Sequence, residues 1–414
     1  MFSLLPYVVG IIATSASAPF GLALFALLFL SATLRYRMRR MIVALKSKML
    51  AAALPSAAAR PARPAPPPPP RALPTVWEAV PRFEPDDPLL LGYLEEHGYV
   101  VVASALSASE VEEAKSKLWA WLTASAGMVR RDPSTWCNHF YAVGNPSTGI
   151  MHAKGVGHAN HSWFVRSRAR VVQAFQTLWG DDDLLCSFDG GNVFRPWHCT
   201  AAEMDAAAGA AAAAAAAAPK RVSRYMQDDP ANWKTRGGWF HLDQGRCKPN
   251  ERVCVQGLVT LFDASAATGG LTVVDASHRD FARVVAEYAT SDGDFVALPP
   301  NAPIVATGER RLVAARAGDL LLWDSRTLHC NSPAVLPPSA PSDELLRAVS
   351  YVCMTPRRFA SEEVLAQRQA AYVDSITTSH WPHEFRAAQM RPPVGLAKND
   401  PAAASATVRA LVGF

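Results

Sequence analysis

The chain has 414 residues, is 50% hydrophobic and carries a net charge of +5, enough for one sizeable core plus appendages. Its seven cysteines (137, 186, 199, 247, 254, 330, 353) are scattered with no Cys-x-x-Cys pair, which excludes a zinc finger and a disulfide-built scaffold and favours a reducing compartment. Residues 1–71 hold nine basic and no acidic side chains, so the remainder carries −4 and has no basic footprint for a nucleic acid.

Phe2 to Leu34 is a run of 33 residues without a charge, longer than the ~20 that cross a bilayer. Pro19 interrupts it, and Arg35-Tyr-Arg-Met-Arg-Arg40 flanks it, which places that flank in the cytoplasm by the positive-inside rule. Residues 1–50 are therefore expected to form a single-pass transmembrane helix with a basic flank, the rest of the chain being cytosolic. Ala16-Ser17-Ala18 resembles a signal-peptidase site, so a cleaved organelle-targeting leader is the alternative. Residues 51–75, with Pro66 to Pro70, read as a semi-rigid polyproline tether.

A globular region is expected over 76–360. From about 184 to 356 the pattern turns strand-rich. Within Ser187-Phe-Asp-Gly190, Asp189 is either a substrate contact or part of an Asp-Gly turn. Residues 205–219 are almost pure alanine; without a polar face they read as an insertion that carries no chemistry.

Trp239-Phe-His-Leu-Asp-Gln244 reads as extended. Alternate side chains of a strand share a side, so His241 and Asp243 project together. A distant histidine, in Asp319-Leu-Leu-Leu-Trp-Asp-Ser-Arg-Thr-Leu-His329, can close a face of two histidines and one carboxylate. Such a face leaves the opposite side of a metal open to a chelating cosubstrate and O₂, the ligand pattern of non-haem Fe(II) oxygenases. Gln256 lies on the next strand-like run, Arg252 to Phe262, where it could hydrogen-bond the cosubstrate or be satisfied by backbone. A second His-x-Asp, His278-Arg279-Asp280, sits past a strand end at the entry to a helix and lacks the companions of a kinase loop. Trp239, Phe262 and Trp323 are expected as core aromatics beside the site. His139, His152, His158, His161, His380 and His383 have no ligand spacing and read as structural or exposed. Cys247 and Cys330 flank the ligands and read as small fillers ahead of redox sensors. Residues 361–414 are a tail of low information.

Four blocks in the right order resemble the phytanoyl-CoA dioxygenase family of Fe(II)/2-oxoglutarate oxygenases, over roughly Phe83 to Pro356. They are Tyr93-Leu-Glu-Glu-His-Gly-Tyr-Val-Val-Val102, His241-x-Asp243, Thr268-Gly-Gly-Leu-Thr-Val-Val-Asp-Ala-Ser-His278, and Gly318 to His329. The first resembles the family's opening segment, which implies a helix leading into a strand ahead of a Ser-x-x-Glu-capped helix, here Ser107 to Leu122. The resemblance implies a mainly β fold with flanking helices, a double-stranded β-helix or jelly roll of the cupin type. It implies Fe(II) held by His241, Asp243 and His329, with 2-oxoglutarate as cosubstrate and O₂ as oxidant. The family also supplies an arginine about a dozen residues after the last histidine to hold the distal carboxylate of 2-oxoglutarate. Here that residue would be Arg347, 18 residues after His329 and behind a proline-rich stretch that reads as a loop insertion; its planar guanidinium suits a bidentate hold. Arg326 is the rival, three residues before His329. Halogenating relatives replace the carboxylate ligand by a small residue, so the presence of Asp243 favours hydroxylation. The expectation is a membrane-tethered dioxygenase acting on a small-molecule or acyl substrate. The alternative is a jelly-roll binding or scaffold protein that keeps the fold without turnover. A zinc hydrolase is the weaker third, lacking an acidic base at a recognisable spacing.

Overall fold

A computed structural model describes residues 80–136, 138–196, 233, 235–333, 343–388, 392–393 and 395–414. The expected anchor, tether and alanine insertion lie outside these residues. Among the described residues, no helix is long and apolar enough to cross a membrane.

Runs such as Tyr99-Val-Val-Val102 and Leu320-Leu-Leu-Trp323 have no polar side to show to water, so they must form strands covered on both faces. In chain order the strands are β1 (Arg82–Phe83), β2 (Tyr99–Val102), β3 (Gly144–Asn145), β4 (Ile150–Met151), β5 (Leu184–Cys186), β6 (Gly191–Phe194) and β7 (His241–Leu242). They continue with β8 (Val255–Thr260), β9 (Gly270–Val274), β10 (Val296–Ala297), β11 (Arg310–Leu312), β12 (Leu320–Asp324), β13 (His329–Ser332) and β14 (Arg347–Pro356). One sheet is ordered β1-β2-β12-β8-β14-β6-β4-β3 with β5 on β14; the other is β10-β7-β13-β9-β11. From β6 onward the chain passes back and forth between them. The core order β6-β14-β8-β12 against β7-β13-β9-β11 is that of a jelly roll, as expected.

Period-two alternation sorts the side chains into layers. Tyr99, Val101, Leu258, Leu321 and Trp323 join Leu271 and Val273 of the smaller sheet in an inter-sheet core. Val100, Val102, Val255, Val259, Leu320 and Leu322 point the other way, into a larger core shared with the helices. Those helices are α1 (Leu89–His97), α2 (Ala108–Ala126), α3 (Asn160–Arg166) and α4 (Ala169–Trp179). The cap on α2 is as expected: Glu110 N donates to Ser107 Oγ (3.3 Å) and Ser107 N to Glu110 Oε2 (2.8 Å). The helix runs four residues beyond the expected end, to Ala126, and stops where Gly127 takes φ +72°, a left-handed cap that glycine adopts without a Cβ penalty. His278-Arg-Asp280 forms a 3₁₀ turn ahead of α5 (Phe281–Tyr288), with His278 Nε2 bonded to the Glu95 carbonyl (3.0 Å); it is structural.

The C-terminal segment carries more information than its sequence suggested. After the short α6 (Pro303–Thr307), α7 (Glu362–Val373) and α8 (Ala406–Val412) bring Leu365, Ala371, Tyr372, Val408, Leu411 and Val412 into buried positions. The buried Arg368 of α7 donates to four carbonyls: Pro382 and Cys186 (both 2.8 Å), Leu411 (3.0 Å) and Val412 (3.2 Å). A guanidinium spent wholly on backbone acceptors fixes the segment to β5, and this determines where His380 stands.

Candidate metal centre and its pocket

His241 and His329 meet because β7 and β13 are antiparallel neighbours with these two residues directly opposite. Asp243 lies one residue past the end of β7, its N–H held by the Ser325 carbonyl (3.2 Å). The Asp243 Oδ2 is 3.4 Å from His241 Nε2 and 3.3 Å from His329 Nε2, and one ligand atom from each residue falls within 4.8 Å of the others. Each imidazole turns its other nitrogen to a carbonyl two residues back: His241 Nδ1 to Trp239 O (3.2 Å) and His329 Nδ1 to Thr327 O (2.9 Å). That bond fixes the tautomer with the proton on Nδ1 and leaves the Nε2 lone pair for a metal. Burial pushes the His329 imidazole below its ordinary pKa, and nearby His241 adds to this. Burial alone would raise Asp243, but His241, His329 and His380 together hold its carboxyl well below the usual carboxylate range. A neutral imidazole beside an ionised carboxylate is the charge state that a divalent cation needs. The donor set fits Fe(II).

Gln256 Nε2 donates to Asp243 Oδ2 (3.1 Å), a partner that is neither of the two its sequence position suggested but the carboxylate ligand itself. Trp239 stacks on His241 with centroids 4.8 Å apart and 10° between planes, and Trp323 lies 5.3 Å from His329. Cys330 is buried, its thiol pushed up to about 12 by that burial, and Cys247 is exposed. The centre opens into a cavity of about 230 Å³ whose walls include Asp189, Leu258, Leu271, Phe295, Asn331 and Tyr351.

Arg347 opens β14, as the sequence suggested, and is buried. It does not itself line the cavity; it adjoins it through Asn331. Among the described residues its Nη1 donates to Asn192 Oδ1 (2.7 Å) and Asn331 Oδ1 (3.2 Å), while its Nε is buried without a partner. Among the described residues no carboxylate offsets its charge, and burial lowers its pKa to about 10. Such a cation is left to be neutralised by something that arrives. Arg166, also buried near this cavity, is committed already: it donates to the carbonyls of Gly157 (2.6 Å), Tyr351 (3.1 Å) and Asp189. Arg326 is paired in a fork with Asp324 (2.9 and 2.7 Å). Replacing Arg326 by Gln should therefore leave the KM for 2-oxoglutarate within about twofold, while unpairing the Asp324 carboxylate lowers thermal stability by roughly 1–3 kcal/mol. Steady-state kinetics and a melting curve check both halves.

Asn192, Asn331, Tyr351 and Phe295 were not singled out by sequence, and His380, read there as structural or exposed, lines the cavity. Asn331 had a local signal, since two residues after His329 on one strand it shares that side chain's face. His380, whose Nε2 is 3.3 Å from the Asp243 carbonyl, had none, because it reaches the site only through the fixed C-terminal segment. Asp189, read both ways from sequence, does line the cavity.

The model of the phytanoyl-CoA dioxygenase (PhyH) family matches residues 94–333. A curated Aspergillus versicolor protein described as Ava biosynthesis cluster protein O is 24% identical over 303 residues, 70% of this chain and 84% of that one. Similar solved structures include EctD from S. alaskensis with 2-oxoglutarate and 5-hydroxyectoine, 14% identical over 78% of this chain and 91% of that chain with a TM-score of 0.42. Another is the epimerase SnoN in complex with Fe3+, alpha ketoglutarate and nogalamycin RO, 17% identical over 64% and 82%, with a TM-score of 0.40.

Proposed function

The chain belongs to the phytanoyl-CoA dioxygenase family and is an Fe(II)/2-oxoglutarate-dependent oxygenase; from that premise we propose that it hydroxylates a small-molecule or acyl substrate while residues 1–50 tether it to a membrane. The observation that carries the hydroxylation reading is the set His241, Asp243 and His329 with both Nδ1 atoms already committed to carbonyls. Because Asp243 supplies a carboxylate, the protein itself fills the place a halide would need.

Bound at this face, Fe(II) with 2-oxoglutarate and O₂ supplies the oxidising power. The residues of the chain do the rest. His241, Asp243 and His329 hold the metal, and Gln256 keeps the Asp243 carboxylate turned toward it. Arg347 receives the distal carboxylate of 2-oxoglutarate, with Asn192 and Asn331 fixing the guanidinium so that its remaining donors stay aimed. Leu258, Leu271 and Trp323 form an apolar wall that excludes water and strengthens that charge pairing. The test is succinate formation from 2-oxoglutarate by the Fe(II)-loaded protein against a panel of metabolites, with a product one oxygen atom heavier. Turnover by an Asp243→Ala variant equal to that of the natural chain would contradict it.

The tether reading rests on the uncharged stretch from Phe2 to Leu34 and its basic flank. The full chain should stay in the membrane pellet after carbonate washing, with the oxygenase domain open to protease from the cytosolic side. A soluble mature form starting near residue 19 or 35 would instead make the leader a cleaved targeting peptide.

A further inference from the structure

Of the two carboxylates lining the cavity, Asp243 belongs to the metal face and Asp189 does not. The backbone around Asp189 is bolted in place. Ser187 N donates to Cys353 O (2.8 Å), and Thr378 N donates to Phe188 O (2.9 Å). Phe188 N in turn donates to Thr378 Oγ1 (3.2 Å), and the committed guanidinium of Arg166 holds the Asp189 carbonyl. A Cβ at Gly190 would fall 1.9 Å from the Met151 carbonyl, so the loop has no room to shift. The carboxylate is the opposite case. Among the described residues, its one hydrogen bond comes from its own neighbour, Gly190 N to Oδ1 (2.7 Å). Burial pushes its pKa up, opposed chiefly by His380, while like-charged Asp243 adds to the rise. A rigidly placed acid with spare acceptor capacity, lining a cavity, can accept from a cationic donor that enters it.

The other wall is apolar. Phe295 is 58% exposed and sits 4.7 Å from the His241 ring, beside Trp239 stacked on the same imidazole. Among the described residues no lysine or arginine lines the cavity, so a phosphate-bearing carrier would meet a carboxylate with neither of these cations beside it. At about 230 Å³ the cavity is below the ~300–1,000 Å³ of pockets that enclose a drug-sized ligand. It can take the reacting end of a substrate, while the rest crosses the aromatic mouth.

We propose that Asp189 is the substrate-recognition residue and that the substrate is an amine, whose ammonium group docks on Asp189 while a ring-bearing apolar body lies against Phe295 and Trp239. This deepens the oxygenase reading and rests on it for the position of the reacting atom. The experiment is a calorimetric titration of the full chain, both metal-free and loaded with Ni(II) and 2-oxoglutarate. The probes are tryptamine and 2-phenylethylamine, their neutral counterparts tryptophol and 2-phenylethanol, and phenylacetate as the anion. At least one amine should bind about tenfold or more tighter than its alcohol, a difference of the size of one charge-assisted hydrogen bond, and phenylacetate should bind weakest. Asp189→Asn should erase the amine preference without changing Ni(II) or 2-oxoglutarate affinity; Asp189→Ala serves as the second variant, with melting curves for both. Amines that bind no tighter than their alcohols, or a preference that survives in both variants, overturns the proposal. The metal-free arm reads the amine site even if the natural chain fails to take up Ni(II) and 2-oxoglutarate, a failure that counts against the oxygenase reading alone.

Discussion

Replacing Asp243 by alanine should leave a folded protein that no longer holds iron. Two imidazoles remain, but the face loses its only anionic ligand. Loss of even an outer-sphere partner typically costs about 10–100-fold in metal affinity, so loss of the ligand itself should cost well over 100-fold. The fold should survive. Asp243 sits past the end of a two-residue strand and packs no core, while the two sheets are held by the inter-sheet cluster around Leu258, Val273 and Trp323. Its depressed carboxyl pKa contributes stability that is present above the ordinary carboxylate value and lost as pH falls below that value through the depressed folded one. Near neutral pH the metal-free variant should therefore melt slightly lower than the natural chain. The larger difference comes on adding metal. Anaerobic Fe(II) at about 100 times its Kd stabilises a binding protein by about 2.7 kcal/mol, and that increment should appear for the natural chain and vanish for Asp243→Ala. An unchanged increment in the folded variant would remove Asp243 from the metal site.

The second large effect belongs to Arg347. Arg347→Gln should raise the KM for 2-oxoglutarate more than about a hundredfold while iron affinity stays near normal. Taking one partner from a buried charge pair costs roughly 3–5 kcal/mol, and ~1.4 kcal/mol is a factor of ten. The same substitution should behave differently in the absence of cosubstrate. The guanidinium is buried with no carboxylate beside it among the described residues, and its pKa is lowered to about 10. Its charge therefore opposes folding at every pH below about 10, and the opposition fades as pH rises toward the ordinary arginine value. The cosubstrate-free Arg347→Gln protein should thus melt no lower than the natural chain, and 2-oxoglutarate should stabilise only the latter. A large KM increase in Arg326→Gln with none in Arg347→Gln would exchange their roles.

The sequence made the metal face legible because its signals are local. His241 and Asp243 share a side by strand period, while β7 and β13 are short strands whose pairing the jelly roll dictates. Arg347 was nominated only through the family spacing, since nothing near it in the chain reveals that it would be buried with no acid beside it among the described residues. What closes the rest of the pocket was not legible. His380 comes from the segment after residue 360, where α7 looks like an ordinary surface helix until Arg368 is found donating to four carbonyls. Asp189 reads from sequence as half of an Asp-Gly turn, and Gly190 N does donate to it. Its carbonyl is held by Arg166, 23 residues earlier, which has no pattern to announce it. Phe295 gives no sign of function in a Gly- and Asp-rich loop, because its position over His241 follows from β10 pairing with β7.

The central claim is that His241, Asp243 and His329 bind one Fe(II) to which 2-oxoglutarate then chelates. Anaerobic titration of the full chain with Fe(II), before and after 2-oxoglutarate, tests it directly through the visible metal-to-ligand absorption of the chelate. The account predicts an absorption that requires both components, saturates at one iron per chain, and is absent in Asp243→Ala. Iron uptake that yields no such absorption, or an absorption that persists in that variant, would contradict it.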